Sequence, residues 1–303
     1  CHSSRLTQRA TAGVNRPLLQ NTIGDAVTLA NNSEFSGFSI VNTTGTAISA
    51  IGVTNPSANR NIIDTTNGPT SHGIFLQNIT GLALFEDNEI SNIDGNAFFV
   101  QGGTANIVYS GSITNVTPPH GFAVLIENNG GSVNMAGSDI TDDGGLGIRV
   151  ANSSANVTFQ NAQLANSVGD AVDIENISGG VSILGDFDID NPTLVAFDVD
   201  QVQGGGSVSI LGDLTITDRN NIGVDLTNID GTFSSSGLVN IGPPASGVEA
   251  AINFQTSTGS ATFDQIVING SNGPGINIGD RANVLVNNDA TFRVNGNTNI
   301  SDV

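Results

Sequence analysis

The sequence contains no lysine and no tryptophan, and only one cysteine, one methionine and one tyrosine among its 303 residues. Eight arginines stand against 28 acidic residues, which gives a net charge of −20. Binding of nucleic-acid phosphates needs clustered Lys and Arg, so this charge balance argues against a nucleic-acid-binding protein. A helical bundle needs Ala, Leu, Glu and Lys in bulk, and with only 12% charged residues a bundle is excluded.

Long apolar runs are also missing. No stretch of 18 apolar residues exists, so we predict no membrane-spanning helix. No apolar segment follows Cys1, so the sequence shows no signal peptide. We expect Cys1 to mark the boundary of a fragment or processed segment, and the alternative is the lipid-bearing first residue of a bacterial lipoprotein. A lone cysteine cannot form an internal disulfide, so packing must stabilise the fold.

Turn-forming residues are abundant instead, with 38 glycines and 38 asparagines. A four-residue pattern recurs among them: a small anchor residue (Ala or Gly), an apolar residue, any residue, and a second apolar residue. The eleven anchors are spaced about 25 residues apart, which indicates an internal repeat. They are Ala26, Ala47, Gly73, Ala97, Ala123, Gly147, Ala171, Ala196, Gly223, Ala251 and Gly275.

Each repeat also carries two further short apolar runs, such as Val157 with Phe159, and then Leu164. Alternation with β-branched residues is typical of strands, and no interval has room for a crossover helix. The sequence therefore predicts an all-β solenoid of about eleven coils with three short strands per coil. Each strand would stack in parallel on its counterpart, about 4.8 Å away.

Two columns of asparagine support this register, because stacked turn amides can bond from coil to coil. One follows the anchor strand and the other follows the third strand. The first column is Asn78, Asn128, Asn152, Asn176, Gln201 and Asn228, and the second is Asn42, Asn92, Asn115, Asp142, Asn166, Asn191 and Asp218.

With these features the chain resembles the right-handed parallel β-helix superfamily, which has a pectate-lyase-like fold. The resemblance covers residues 21–303, which we assign to the repeat domain. Residues 1–20, with Arg5, Arg9 and Arg16 and no acid, form a predicted basic arm or cap. Residues 27–40 look like the first coils of bacterial autotransporter passengers and adhesins. The superfamily also includes pectin-degrading enzymes and phage tailspikes, so the resemblance implies the fold and leaves the function open.

Similarity to a polygalacturonase would require clustered aspartates, a His-Gly pair and an Arg-x-Lys element. Asp142-Asp143 and His120-Gly121 are present, but the chain has no lysine, and His120 precedes the aspartates, in reverse of the family order. We interpret Asp142 as a turn-column residue, and we expect His72 and His120 in surface turns, too far apart to share a metal. We therefore predict no catalytic residues and favour a non-enzyme, without excluding an enzyme.

The third residue of each repeat pattern should point outward. Down the chain it reads Thr28, Ser49, Phe75, Phe99, Leu125, Arg149, Asp173, Asp198, Asp225, Asn253 and Asn277. We predict a partner surface at Phe75, Phe99 and Leu125. Stacked carboxylates repel one another and invite a cation, so the acidic stretch is a candidate calcium site. Its residues are Asp173, Glu175, Asp198, Asp200 and Asp225. The alternative is a solvated face, partly neutralised by Arg149.

The leading hypothesis is a non-enzymatic extracellular segment of a bacterial surface adhesin or autotransporter-like passenger. Its partner would be a host or neighbouring-cell glycan or protein, bound through the sheet faces. Two alternatives stay open. One is a carbohydrate-active β-helix enzyme that acts on acidic polysaccharide, and the other is a self-assembling structural rod. No cofactor is predicted other than calcium.

Overall fold

The computed structural model describes residues 16–68, 70–116, 118, 120–245, 249–270, 273–279, 291–295 and 298–301. Cys1, Arg5 and Arg9 lie outside the described residues. Every regular element within them is a β-strand, as predicted. No helix in this part of the chain is long and apolar enough to cross a membrane. The chain divides into unit 1, Cys1–Gly145, and unit 2, Leu146–Val303.

In unit 1, five anchor strands pair in parallel in chain order, one per coil. They are β2 (Val27–Thr28), β5 (Ile48–Ile51), β8 (Ile74–Ile79), β10 (Phe98–Gly103) and β12 (Val124–Glu127). The second and third strands of each coil stack in the same parallel way. They are β1 (Leu18–Gln20), β3 (Glu34–Ser36), β4 (Ser39–Thr43), β6 (Ser57–Asn59), β7 (Ile62–Thr66), β9 (Leu82–Ile93), β11 (Asn106–Asn115) and β13 (Ser132–Asp143).

Unit 2 has six anchor strands, again paired in parallel in chain order. They are β14 (Ile148–Ala151), β16 (Val172–Ile177), β19 (Phe197–Val202), β22 (Val224–Thr227), β24 (Ile252–Gln255) and β26 (Ile276–Ile278). The other strands of unit 2 are β15 (Asn156–Ala165), β17 (Gly180–Ile183), β18 (Phe187–Asp190), β20 (Ser207–Ile210), β21 (Leu214–Thr217), β23 (Thr232–Ile241), β25 (Ser260–Asn269), β27 (Thr291–Val294) and β28 (Thr298–Ser301). Each unit is thus a parallel β-helix.

All eleven predicted anchors lie directly before an anchor strand, so the repeat was placed correctly. The anchor has to be small because the backbone of the next coil approaches it closely. A Cβ on Gly73 would lie 2.5 Å from the carbonyl oxygen of Ala97. The alanine anchors Ala47, Ala123 and Ala196 are fully buried. Short side chains here let successive coils stack at strand spacing.

The core runs inside the coils and consists of the apolar residues that the alternation predicts. Val157 and Phe159 on the second strand and Ile113 and Ile140 on the third strand are buried. In several coils the second and third strands are one long bent strand rather than two. The register of β9 and β11 shifts between Tyr109 and Gly111, where the bend is a bulge. Glycine fits there because its φ is +118°.

The asparagine columns form ladders as predicted, for example from Asn176 Nδ2 to Asn152 Oδ1 at 2.7 Å and from Asn191 Nδ2 to Asn166 Oδ1 at 2.7 Å. These residues have φ near +50°, the left-handed conformation that Asn tolerates better than most residues. A third, buried ladder between the second and third strands was not predicted. In it Asn61 Nδ2 donates to Asn88 Oδ1 at 3.1 Å.

Leu18–Gln20, within the predicted arm, forms β1 and pairs with β4. Arg16 donates a hydrogen bond from Nη1 to the carbonyl oxygen of Arg60. These residues are therefore attached to the first coils of unit 1.

Candidate functional site on the outer face of the anchor strands

The outer face of the anchor strands carries both clusters of predicted site residues, one in each unit. Side chains alternate along a strand, so neighbours point to opposite faces. On β10, Phe98 and Val100 are fully buried in the core, and Phe99 between them points to the outer face. On β16, Val172 and Ile174 are buried and Asp173 is half-buried on the outer face. The outward facing of both clusters follows from this alternation.

In unit 1, Phe75, Phe99 and Leu125 occupy paired positions on three successive strands. The ring centroids of Phe75 and Phe99 are 4.9 Å apart. The ring of His72, from the turn before β8, lies 5.5 Å from Phe75 and 5.3 Å from Phe99. We call His72, Phe75, Phe99 and Leu125 the aromatic face.

The aromatic face is more covered than an open stripe of rings would be. Phe99 is only 9% exposed and Leu125 only 6%, while Phe75 is half-buried. Phe99 packs against the rings of Phe75 and His72, and Leu125 lies opposite Phe99 on the next strand. Beside the rings, Gln77 Nε2 donates to Gln101 Oε1 at 2.7 Å, which places planar amides next to the aromatic surface.

In unit 2, Asp173, Asp198 and Asp225 are paired in register on β16, β19 and β22, and we call them the acidic column. Glu175 and Asp200 form a second pair beside them. At one end Arg149 Nε lies 3.1 Å from Asp173 Oδ2, and Arg149 Nη2 lies 2.5 Å from Glu175 Oε2. The arginine therefore neutralises part of this face, as the sequence indicated.

The other end of the acidic column is closed by amides. Asn253 Nδ2 donates to Asp225 Oδ1 at 2.7 Å, and Asn277 Nδ2 donates to Asn253 Oδ1 at 2.7 Å. Thr227 Oγ1 donates to the same oxygen of Asp225 at 3.0 Å. The carboxylate of Asp225 is thus held by neutral donors, while Asp198 lies in the middle of the column between two other aspartates.

Burial and crowding make these carboxyl groups weaker acids. Burial, together with the nearby carboxylates of Asp225, Asp170 and Asp173, raises the pKa of Asp198 to about 8. Burial raises the pKa of Asp173 to about 6, although Arg149 opposes the rise. The pKa of Asp225 is also raised by burial, against the hydrogen bonds from Asn253 and Thr227. The middle of the column therefore holds a proton near neutral pH.

Calcium binding at Asp173, Glu175, Asp198, Asp200 and Asp225 stays a prediction. Within the described ranges no group of three or more His, Cys, Asp or Glu is arranged to hold a metal ion. The register brings all five residues to one face.

The expectation that His120 lies in a surface turn is wrong. Its side chain is 1% exposed, and its Nδ1 atom lies 3.4 Å from Oδ1 of Asp142, whose side chain is fully buried. The ring fits because position 145 is glycine, where a Cβ would lie 2.1 Å from His120 Cε1. A substrate cannot reach this pair, so its role is structural. Asp142 also pairs in register with Asn115, which agrees with the predicted turn column.

His72 and Asp170 were not predicted as site residues. His72 belongs to the aromatic face, and Asp170 lies beside the acidic column. Each lies directly before an anchor, Gly73 and Ala171 respectively. Burial raises the pKa of Asp170, and the carboxylate of Asp225 raises it further. In the sequence, only their shared position directly before an anchor could have indicated that they lie near these clusters.

Comparison with known proteins supports the fold. A family described as the right handed beta helix region matches residues 67–191. No curated protein and no solved structure matches the chain.

Proposed function

We propose that this chain, whose fold is a right-handed parallel β-helix, is a non-enzymatic extracellular segment of a bacterial surface adhesin or autotransporter-like passenger. In this proposal it binds an uncharged glycan through the aromatic face of unit 1. The observation that carries the proposal is the half-buried ring of Phe75, which contacts His72 and Phe99 on the outer side of the anchor strands.

Phe75 is the ring of this face that stays partly exposed, and it presents an apolar surface with polar neighbours. Binding sites for small molecules combine such apolar surface with a few well-placed polar groups. Here the Gln77–Gln101 amide pair supplies donors and acceptors beside the rings. A sugar ring presents C–H groups on its faces and hydroxyls on its edges, which suits both components.

The charge of the chain indicates whether the proposed glycan is neutral or acidic. A net charge of −20 without any lysine repels polyanions at long range. Glu127, at the end of β12, adds an acid to the same outer face. These features favour a neutral glycan over an acidic one.

The test is a screen of immobilised neutral and acidic glycans with the purified protein. Wild type should retain neutral glycans, and Phe75→Ser should lose most of that binding while its circular dichroism stays unchanged. Asp173→Ser, on the outer face of unit 2, is the matched control and should bind like wild type. Equal binding by Phe75→Ser and wild type would overturn the proposal.

The acidic column favours a second candidate, an enzyme that cleaves polysaccharide. Glycosidases use two carboxyl groups, one protonated and one ionised, and a raised pKa keeps the general acid protonated. Asp173 and Asp198 are paired on adjacent strands, and neighbouring strands are about 4.8 Å apart. The pKa of Asp198 is about 8 and that of Asp173 is about 6.

This candidate predicts release of reducing ends from polysaccharide, assayed on uronic-acid and neutral polymers between pH 4 and 9. Asp198→Asn should abolish the release. No release from either class of polymer at any pH would rule the enzyme out. Light scattering against protein concentration tests the third possibility, self-assembly, which predicts a mass that grows with concentration.

A further inference from the structure

In several coils the side chain of the residue directly before an anchor accepts a hydrogen bond. The donor is the backbone N–H of the corresponding residue in the next coil. Asp25 Oδ1 accepts from the backbone N–H of Thr46 at 3.0 Å. Asn96 Oδ1 accepts from the N–H of Phe122 at 3.0 Å. In unit 2, Asp170 Oδ1 accepts from the N–H of Val195 at 2.8 Å. The position therefore calls for a side-chain acceptor.

His72 fills this position in the third coil. Its Nδ1 atom accepts from the backbone N–H of Asn96 at 3.0 Å. An imidazole nitrogen accepts only while it carries no proton, so this bond requires the neutral ring with its hydrogen on Nε2. A protonated ring would direct an N–H at the N–H of Asn96, and two donors cannot bond. The acceptor oxygen of an Asn or of an ionised Asp, by contrast, does not become a donor when the pH falls toward 5.

The groups around His72 determine its pKa and therefore the pH range in which the ring is protonated. Burial lowers the pKa of His72 from its ordinary value of 6.5, and the Asp25 carboxylate opposes this to a smaller extent. Asp94, in the turn that packs beside His72, has its carboxylate engaged by the Gly68 N–H at 2.7 Å. The ring is therefore neutral at pH 7 and takes a proton only in the acidic range.

We propose that His72 is an acid-sensitive contact of the aromatic face, whose protonation breaks the bond to Asn96 and shifts the turn that leads into β10. That turn precedes Phe99 by three residues, and His72 itself touches both rings. Loss of the bond therefore changes the packing of His72, Phe75 and Phe99 at once. The consequence for ligand binding rests on the proposed function, whereas the break of the His72–Asn96 bond does not.

The bond is tested by NMR of the whole chain between pH 7.5 and 4.5. The Cε1–H signal of His72, assigned by its absence in His72→Asn, should titrate with a midpoint below 6.5. The amide signal of Asn96 should follow the same midpoint in wild type and should not show it in His72→Asn, which keeps an acceptor. His72→Asp, which copies the residue at position 25, is the second variant should His72→Asn not fold. An Asn96 amide that stays constant while His72 titrates, or a His72 that never titrates, would overturn the inference.

The effect on the ligand is measured with a neutral glycan that wild type retains in the screen. Wild type should bind it about three- to tenfold more weakly at pH 5 than at pH 7.5, the loss expected for one hydrogen bond. His72→Asn should bind it equally at both values, and an equal loss in His72→Asn would overturn the link to binding. If no glycan binds at any pH, the proposed function fails, while the Asn96 amide still decides the inference about His72.

Discussion

Asp198 is paired in register with Asp225 on the next anchor strand, so two half-buried carboxyl groups share the outer face of unit 2 one strand spacing apart. The pKa of Asp198, about 8, lies above its unfolded value of 3.8. A raised pKa of an acid means that the folded state binds the proton more tightly than the unfolded state. This contribution to stability is therefore complete below pH 3.8 and is lost as the pH rises through 8.

Asp198→Asn should remove this dependence. The variant should be more stable than wild type at pH 9, on the order of 1–2 kcal/mol after allowance for solvent screening, and the difference should shrink at pH 5. The measurement is the free energy of unfolding in urea at pH 5, 7 and 9. Asp188→Asn, an exposed acid on β18, is the control and should track wild type. An Asp198→Asn curve parallel to that of wild type would contradict the prediction.

The facing of β16 predicts a contrast between neighbouring residues. Val172→Asp or Ile174→Asp places a charge in the core without a partner and should reduce stability by roughly 3–5 kcal/mol. Asp173→Ser, on the outer face between them, should be neutral or slightly stabilising. The measurement is the free energy of unfolding in denaturant, and similar losses for the inward and outward variants would contradict the inward–outward assignment.

The asparagine ladder predicts a difference between two substitutions at Asn176, where φ is +50°. Both Asn176→Ala and Asn176→Gly lose the bonds to Asn152 and from Gln203. Only alanine also suffers the steric cost of the left-handed conformation, so it should be about 1 kcal/mol less stable than glycine. Equal stability of the two variants would mean that the conformation of this turn contributes nothing.

Calcium tests whether the acidic column can exchange its proton for a cation. At pH 8.5, millimolar calcium should raise the melting temperature, with about 2.7 kcal/mol of stabilisation at a hundredfold excess over the dissociation constant. Asp198→Ala should abolish the rise, and magnesium should give less of it because it demands stricter geometry. An unchanged melt with calcium and with a chelator would leave the column as a solvated face.

The sequence predicted those features that depend on a period. The anchors before each strand, the buried Ile113 and Ile140 and the alignment of Asp173 with Asp198 all follow from a repeat of about 25 residues and a side-chain alternation of two. The family match to residues 67–191 agrees with the right-handed fold that the resemblance implied.

Features that depend on turn conformation could not be derived in this way. His120 is buried because its turn folds over Gly145, and its position in the repeat does not indicate that. The pairing of the merged strands β9 and β11 shifts register between Tyr109 and Gly111, which a count of apolar residues does not detect. His72 joins the aromatic face through a bond to the next coil, and such a contact exists only once the coils are stacked.

The most direct test of the proposed binding role is amide hydrogen exchange of the protein with and without a neutral glycan that it retains. We expect slower exchange in Ile74–Ile79 and Phe98–Gly103, the two strands that carry Phe75 and Phe99. Phe75→Ser should show no such protection. Protection confined to Phe197–Val202, the strand of Asp198, would contradict the account and favour the acidic column as the binding surface.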